Sequence, residues 1–443
     1  MKVAVIGSGV SGLTAAHLLC AEHHVVVFES ATRPGGHANT RLVTDSAGTE
    51  HWVDTGFIVL NERNYPSFEG LLAELGVATR PSAMGLSIAM PDGSFEFAGT
   101  AKGLFAQRSN LARPRFLRML RDQLRFNRDA RAMIGRVDGP SVGEFVRDMG
   151  YSDWFMERVV MPEVSAVWSS DPAAVWDFPV AFLAEFLGNH GQLEVLGRPR
   201  WRTVVGGSRT YVNAIAGKLG ERLRLGAAVQ RIERLAEGGV AVEALGAGAE
   251  VFDEVVIAAH SDQALAMLGA PTEPEREVLG AMRYERNEAA LHTDPSLMPK
   301  RKAAWASWNF HLTGGAELPT MSYWMNRLQG LDAAEDIFVT LNRTDSLDPD
   351  KVIDVIPYEH PIVTHEAVAA QRRWGEVSGA DRIHYCGAYW RWGFHEDGCW
   401  SAIRACAPLL GAGPVPLVAQ VFVDTPANGD ASSESRSKVE AAA

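Results

Sequence analysis

Lys2-Val3-Ala4-Val5-Ile6-Gly7-Ser8-Gly9-Val10-Ser11-Gly12 opens the chain and governs how the rest of it is read. Residues 2–6 are a short β-branched run ending at a glycine, the pattern of a buried strand. Residues 12–22 then place Leu13, Ala16 and Leu19 or Cys20 on one helical face, and residues 24–29 (HVVVFE) read as a second strand. In that βαβ setting, Gly7, Gly9 and Gly12 fit G-x-G-x-x-G. The first glycine permits the tight turn, the second lets backbone approach a pyrophosphate, and the third packs helix on strand. The helix start at Val10 and Ser11 aims unpaired N–H groups at an anion. Glu29, 22 residues after Gly7 and followed by Ser30, can accept both ribose hydroxyls and would repel a 2′-phosphate, which disfavours NADP. A glycine-rich turn without a ligand is the competing reading; strand, spacing and acidic residue together weigh against it.

The chain has 443 residues, enough for two domains, with 47% hydrophobic and 22% charged residues, an ordinary globular balance. Its four cysteines, Cys20, Cys386, Cys399 and Cys406, form no Cys-x-x-Cys pair, which argues against a dithiol enzyme or a zinc site, and no metal is expected. A net charge of −12 disfavours nucleic acid as a partner. No stretch reads as a secretory signal or reaches about 18 apolar residues, so the expectation is a cytoplasmic protein.

Further along, residues 53–60 are apolar, and residues 65–75 predict a helix stopped at Gly76. Residues 84–97 predict a hairpin around Pro91-Asp92-Gly93. Residues 101–200 are helical in pattern and rich in Trp and Phe. Strand character returns at 222–225, 239–244 and 255–259, a mixed segment covers 270–380, and a strand at 382–385 precedes a core helix at 400–410. The Ser-, Glu- and Ala-rich stretch 427–443 predicts a disordered tail. The expected fold is α/β: a Rossmann-type nucleotide domain from 1–80, 201–270 and 381–415, interleaved with a mixed α+β substrate domain from 81–200 and 271–380.

Arg33-Pro34-Gly35-Gly36-His37 follows the second strand directly. A second glycine pair lets backbone approach another part of a long cofactor. The segment resembles the R-x-G-G element of the flavin-containing amine oxidase superfamily, which includes protoporphyrinogen oxidases and carotenoid desaturases. The resemblance implies FAD, with Gly35 and Gly36 along its pyrophosphate and ribityl chain. His37 stands where the family has a basic residue, which leaves a His-linked flavin open beside a non-covalent one. Asp54-Thr55-Gly56-Phe57-Ile58 resembles the family's D-x-G element, implying Gly56 and Phe57 beside the flavin ring. Residues 226–232 (GAAVQRI) resemble its adenine-clamping strand, with Val229 in contact. Cys386-Gly387-Ala388, then 393–398 (GFHEDG) and the helix after it, resemble the C-terminal flavin motif. This implies roles for Gly387, His395, Asp397 and Gly398, with a helix N-terminus stabilising charge near flavin N1 and O2. Ser401-Ala402 replaces the family's Ser-Gly.

The whole chain is similar to a bacterial branch of predicted NAD/FAD-binding oxidoreductases, through VDTGFIVLNERNYP, PEVSAVWSS, SYWMNRLQ and CGAYWRWGFHEDG. That resemblance implies association with fatty-acid methyltransferases of the cyclopropane-synthase type, and for some members desaturation of methylated acyl chains. No second G-x-G-x-x-G follows a strand; Gly246-Ala247-Gly248 reads as a hairpin turn. The electron acceptor is therefore expected to be oxygen, a quinone or another carrier.

Trp305, Trp308, Tyr323, Trp324, Trp390, Trp392 and Phe394 are dense in the last third. They are core packing or the wall of an apolar pocket. His395, His292, His311 and Tyr323 are the candidate acid–base groups, although a lone histidine is more often structural. Glu396 and Asp397 are expected to cap the final helix. Residues 102–136 carry ten basic residues against Asp122 and Asp129, a net of +8 that leaves −20 on the rest. Phe116, Leu117, Leu120 and Leu124 fall at helical spacing, so residues 113–131 predict a basic amphipathic helix. It suits an anionic membrane surface or a solvated, salt-bridged face. The expected activity is FAD-dependent dehydrogenation or desaturation of an apolar, acyl-type substrate by hydride transfer to flavin N5. Amine oxidation, and a non-catalytic flavoprotein partner of a lipid methyltransferase, are the rivals.

Overall fold

The computed structural model describes residues 1–136, 139–168, 174–194, 197, 199–246, 248–312 and 320–411. Three distant parts of the chain build one parallel sheet of five strands. Its order is Leu223–Arg224, His24–Phe28, Lys2–Ile6, Glu254–Ile257, Ile383–Tyr385. Val5 pairs with Val27 on one side and Val256 on the other. The strands are near-continuous apolar runs because both faces are covered. Val3, Val5, Val25 and Val27 face the helices Val10–Leu19, Pro66–Glu74, Arg209–Leu219 and His395–Cys406. Ala4, Ile6, Val26 and Phe28 face an antiparallel meander, Val229–Arg234, Val240–Ala244 and Gly248–Phe252.

The second unit is a seven-stranded mixed sheet ordered Val352–Pro361, Tyr284–His292, Phe338–Leu341, Thr320–Trp324, Trp308–His311, Leu86–Ala89, Glu96–Ala98. A helical layer that includes Pro114–Arg131, Val142–Met149 and Val180–Asn189 shares its core, which is filled by Phe116, Phe126, Phe145, Phe155 and Phe186.

The apolar stretch at 53–60 runs through two elements: Glu50–Asp54 pairs with Thr40–Thr44, and Leu60–Asn61 joins another sheet. Two local expectations are revised. The final helix begins at His395, five residues earlier than its apolar periodicity suggests, because Asp397 accepts the Phe394 N–H at 2.8 Å and caps it. On the basic helix, the buried stripe is Phe116, Met119, Phe126 and Ala130, while Leu117 and Leu124 are exposed. The 427–443 stretch, Ala247 and part of PEVSAVWSS lie outside the described residues. Among the described residues no helix is long and apolar enough to cross a membrane, and no cluster of metal-ligating side chains occurs.

Candidate functional site

A single cavity of about 750 Å³ runs from the glycine-rich turn, between the two units, to the aromatic side of the second sheet. Gly7 takes φ +99° and donates to the Phe28 carbonyl at 2.7 Å, which closes the strand–helix turn. The three glycines then do different work. A Cβ on Gly12 would lie 1.9 Å from the Gly7 carbonyl oxygen, so this position packs helix on turn. A Cβ on Gly9 would meet nothing within 4 Å, because Gly9 borders the cavity. Val10 and Ser11, at the start of the helix, line it too.

Glu29 and Ser30 also line the cavity. The Glu29 carboxylate accepts the Ser8 N–H and Oγ–H at 2.8 and 2.6 Å, the Ala31 N–H at 2.8 Å and the Ser30 hydroxyl at 3.2 Å. All four of its lone-pair positions are thus used within the chain. The sequence reading missed this pinning: a ribose hydroxyl can bond Glu29 only where a serine hydroxyl rotates away. Val229 lines the same end with Gln230 and Met267.

The second glycine turn is tied to the first. Gly35, at φ +110°, donates to the Ser8 carbonyl at 2.9 Å, and a Cβ on Gly36 would lie 3.2 Å from Gly9 Cα. Arg33 binds the Gly36 carbonyl at 2.8 Å and so braces this turn. Gly35 itself does not border the cavity; Gly36 and His37 do. The His37 ring stacks on Tyr358 at 4.8 Å, with His360 at 5.5 Å and His260 at 6.1 Å. Burial holds His37 well below the usual imidazole range, and the neighbouring histidines push the same way. Its Nε2 is buried without a partner. A Cβ on Gly56 would lie 2.2 Å from the His37 carbonyl oxygen, which explains the glycine, and Phe57 N–H donates to that oxygen at 3.0 Å. Asp54 is a brace: Thr40, Ser208 and Gln329 donate to it, and burial raises it to about 6.

From the far end of the chain come Gly387 and His395, both at the cavity wall. The Gly387 N–H donates to Ser401 Oγ at 2.9 Å. Asp397 and Gly398 lie behind the wall and do not border the cavity. A Cβ on Gly398 would lie 2.5 Å from Val10 Cγ1, so this glycine brings two helix N-termini together. Glu396, expected from sequence to cap its own helix, does not do so. It accepts the Ser67 and Phe68 N–H groups at 3.1 and 2.9 Å, capping the helix Pro66–Glu74.

The acid–base candidates separate. The His395 imidazole stacks on Phe57 and pairs its Nε2 with Tyr211 Oη at 3.0 Å; burial lowers it to about 3. Tyr323 borders the cavity, its phenol kept neutral by burial. His292 does not reach the cavity: its Nε2 meets Thr340 Oγ1 at 2.7 Å and its Nδ1 accepts the Asp294 N–H. His311 is likewise buried against Ser322. Of the seven aromatics, Trp308, Tyr323, Trp392 and Phe394 line the cavity, whereas Trp305, Trp324 and Trp390 are packing. Sequence reasoning missed His190, Gln192, Trp201, His260, Tyr284, Tyr358 and His360 at the wall. They lie in no local motif and are gathered by topology alone.

These residues fit FAD. Two glycine turns face one continuous channel, Gly9 leaves room for a ligand, and the unpartnered His37 Nε2 sits beside them. No cysteine borders the channel among the described residues.

A family model described as flavin containing amine oxidoreductase matches residues 10–328. AofH of Mycobacterium tuberculosis (strain CDC 1551 / Oshkosh), named as a candidate flavin-containing monoamine oxidase, is 28% identical over 256 residues, 54% of this chain. The chain spans about half the length of the curated relatives it matches, 52% in this case. Cyclohexylamine oxidase from Brevibacterium oxydans IH-35A has a similar structure, with a TM-score of 0.68 at 15% identity over 92% of this chain and 99% of that one. A fatty acid isomerase from P. acnes that produces CLA gives a TM-score of 0.60 at 13% identity over 92% and 98%. At these identities the structural likenesses carry the fold alone.

Proposed function

Because this chain belongs to the flavin containing amine oxidoreductases, we propose that it is an FAD-dependent oxidoreductase that dehydrogenates a neutral, apolar, acyl-type substrate. One observation carries the substrate class. The end of the cavity away from the glycine turns is walled by Met84, Phe186, Trp201, Trp308, Trp392 and Phe394. The only carboxylates on the cavity wall, among the described residues, are Glu29 by the first turn and Glu359 beside His260. A polyamine cation would be buried there without a counter-charge, which is costly. An acyl chain meets walls of its own polarity.

The bound flavin supplies a two-electron acceptor for hydride. The residues hold and surround it. Gly9, Val10 and Ser11 offer the helix N-terminus to the pyrophosphate. Tyr211, a buried phenol, shares a hydrogen bond with His395 Nε2 and so fixes the imidazole at the start of the final helix. The helix N-terminus would favour negative charge on the pyrimidine end of a flavin bound there. His190 pairs its Nδ1 with the Phe186 carbonyl at 2.9 Å, which leaves Nε2 as a proton acceptor at the apolar end. Its depression to about 4 keeps that acceptor free at neutral pH.

The aromatic walls also suit a neutral amine, so amine oxidation is the second reading. Anaerobic titration separates the readings. Bleaching of the flavin absorbance by fatty-acyl or methyl-branched acyl substrates, and not by putrescine or cyclohexylamine, is expected. Bleaching by an amine alone overturns the acyl assignment. A flavin that neither class reduces points to a non-catalytic partner of a lipid methyltransferase.

A further inference from the structure

We propose that the helix Pro114–Arg131 is a membrane-docking surface that seats this protein on an anionic bilayer, beside the apolar end of its cavity. At about 100° per residue, Leu117, Arg121, Leu124, Arg128 and Arg131 share one arc of roughly 80°. Leu117 and Leu124 are 49% and 60% exposed, so the arc alternates open leucines with arginines. Leu111 in the preceding turn and Ile134 just after the helix are 57% and 45% exposed. Apolar side chains among cations suit the boundary between headgroups and acyl chains. There the leucines enter and the arginines stay at phosphate depth.

The charge distribution favours the same occupant. Asp122 and Asp129 are the only acids of residues 102–136, and both are turned inward: Asp122 also holds Ser152, and Asp129 holds Tyr151. They pair with Arg118 at 3.6 Å and Arg128 at 2.7 Å, and still leave the segment at +8 on a chain of net −12. Anionic lipid repels the acidic chain as a whole and attracts this arginine face. The leucines distinguish a bilayer from a nucleic acid, which would gain nothing from them.

Position links the face to the cavity. The inner side of this helix packs on Val180–Asn189 through the shared core, and Ile134 Cδ1 would lie 2.9 Å from a Cβ on Gly188. Arg131 bonds the carbonyl of Leu193. Phe186, His190 and the adjacent Gln192 form the cavity wall on that side. The docking face therefore lies one helix layer from the apolar end of the site.

The test is co-sedimentation of the flavin-loaded protein with phosphatidylglycerol–phosphatidylcholine vesicles and with pure phosphatidylcholine vesicles, at low and high salt. Binding to the anionic vesicles alone is expected, lost at high salt. Both Arg121→Glu with Arg128→Glu, and Leu117→Ser with Leu124→Ser, are expected to weaken it by roughly tenfold or more. All four positions are exposed, so flavin absorbance and Tm should hold. The proposal fails if the unaltered protein ignores anionic vesicles, which needs no variant. It fails equally if only the arginine pair matters, or if a short RNA is bound and vesicles are not. Docking does not depend on the substrate assignment: vesicle binding with a flavin that acyl substrates cannot reduce would uphold the one and sink the other.

Discussion

The His395 imidazole lies flat on the Phe57 ring, their centroids 3.7 Å apart and their planes 13° from parallel. Residues 338 positions apart thus form one surface of the cavity. With burial lowering His395 to about 3, it is a neutral wall and hydrogen-bond donor at every working pH. His395→Asn is expected to slow flavin reduction about tenfold while the pH profile keeps its shape. Stopped-flow reduction from about pH 5 to about pH 9 checks this, and loss of an acid limb in the variant would show that His395 does exchange protons.

Gly9 and Gly12 separate binding from folding. Gly9→Ala adds a methyl to open space, so Tm of the flavin-free protein should hold while flavin is lost on purification. Gly12→Ala drives a methyl into the Gly7 carbonyl and should leave little folded protein. The two soluble yields and the flavin-to-protein absorbance ratios decide it. Equal behaviour of the two variants would remove the distinction.

Flavin should leave with denaturant. Among the described residues no cysteine borders the channel, so ultrafiltration in urea is expected to put all the colour in the filtrate. Colour retained with the polypeptide would instead mean a covalent link to a wall residue, with His37 the first histidine to replace.

Stability should fall on mild acidification. Burial lowers His190, His292, His311 and His360 to about 4 and His395 to about 3. The unfolded chain takes up these protons from about pH 6.5 downward, and the folded protein does not until about pH 4. Their contribution is present above pH 6.5 and is lost as pH falls through that window. Asp54 and Asp397, raised to about 6, and Glu396, raised to about 7, act in the opposite sense. Their contribution is present below their unfolded values and is lost as pH rises. Five imidazoles outweigh three carboxyls, so Tm of the flavin-free protein should be lower at pH 5 than at pH 7.5 by roughly 5 °C or more. A higher Tm at pH 5 would mean the carboxyls dominate.

Glu396 ties the final helix to Pro66–Glu74 through two backbone N–H groups. Glu396→Ala leaves both unsatisfied in a buried site and is expected to cost about 1–3 kcal/mol. Glu396→Gln, which keeps one acceptor oxygen, should cost less. Urea unfolding of the three proteins measures the difference.

The parts of the site legible in sequence are those where one short segment does one job. Gly7, Gly9 and Gly12 sit within a single turn, and their spacing carries the geometry. Gly36 and Gly56 were readable through resemblance, and the backbone contacts a Cβ would make at each supply the reason. The histidine group was not legible: His37, His260 and His360 are scattered through the sequence and meet only because Ala258-Ala259-His260 follows the strand Glu254–Ile257 beside the central one and Val352–Pro361 edges the second sheet. Glu396 shows the same limit. Its place in a helix first turn suggested a local cap, yet its partner helix begins 330 residues earlier. Helical spacing likewise grouped Leu117 and Leu124 with Phe116 on one apolar face, since period alone cannot say which of two apolar stripes faces the core.

Thr14 Oγ1 and Cys399 Sγ are 3.3 Å apart across 385 residues of chain. A ribosome adding about 5–20 residues per second therefore releases the opening βαβ unit roughly 20–80 s before its partner helix exists. Until then the first glycine turn has one wall, and a nascent or prematurely terminated chain presents an apolar sheet edge and no closed flavin site. Cofactor retention thus reports that translation has passed residue 406, and cells short of riboflavin should degrade this protein faster, as the complete chain then lacks the stabilisation that bound flavin adds.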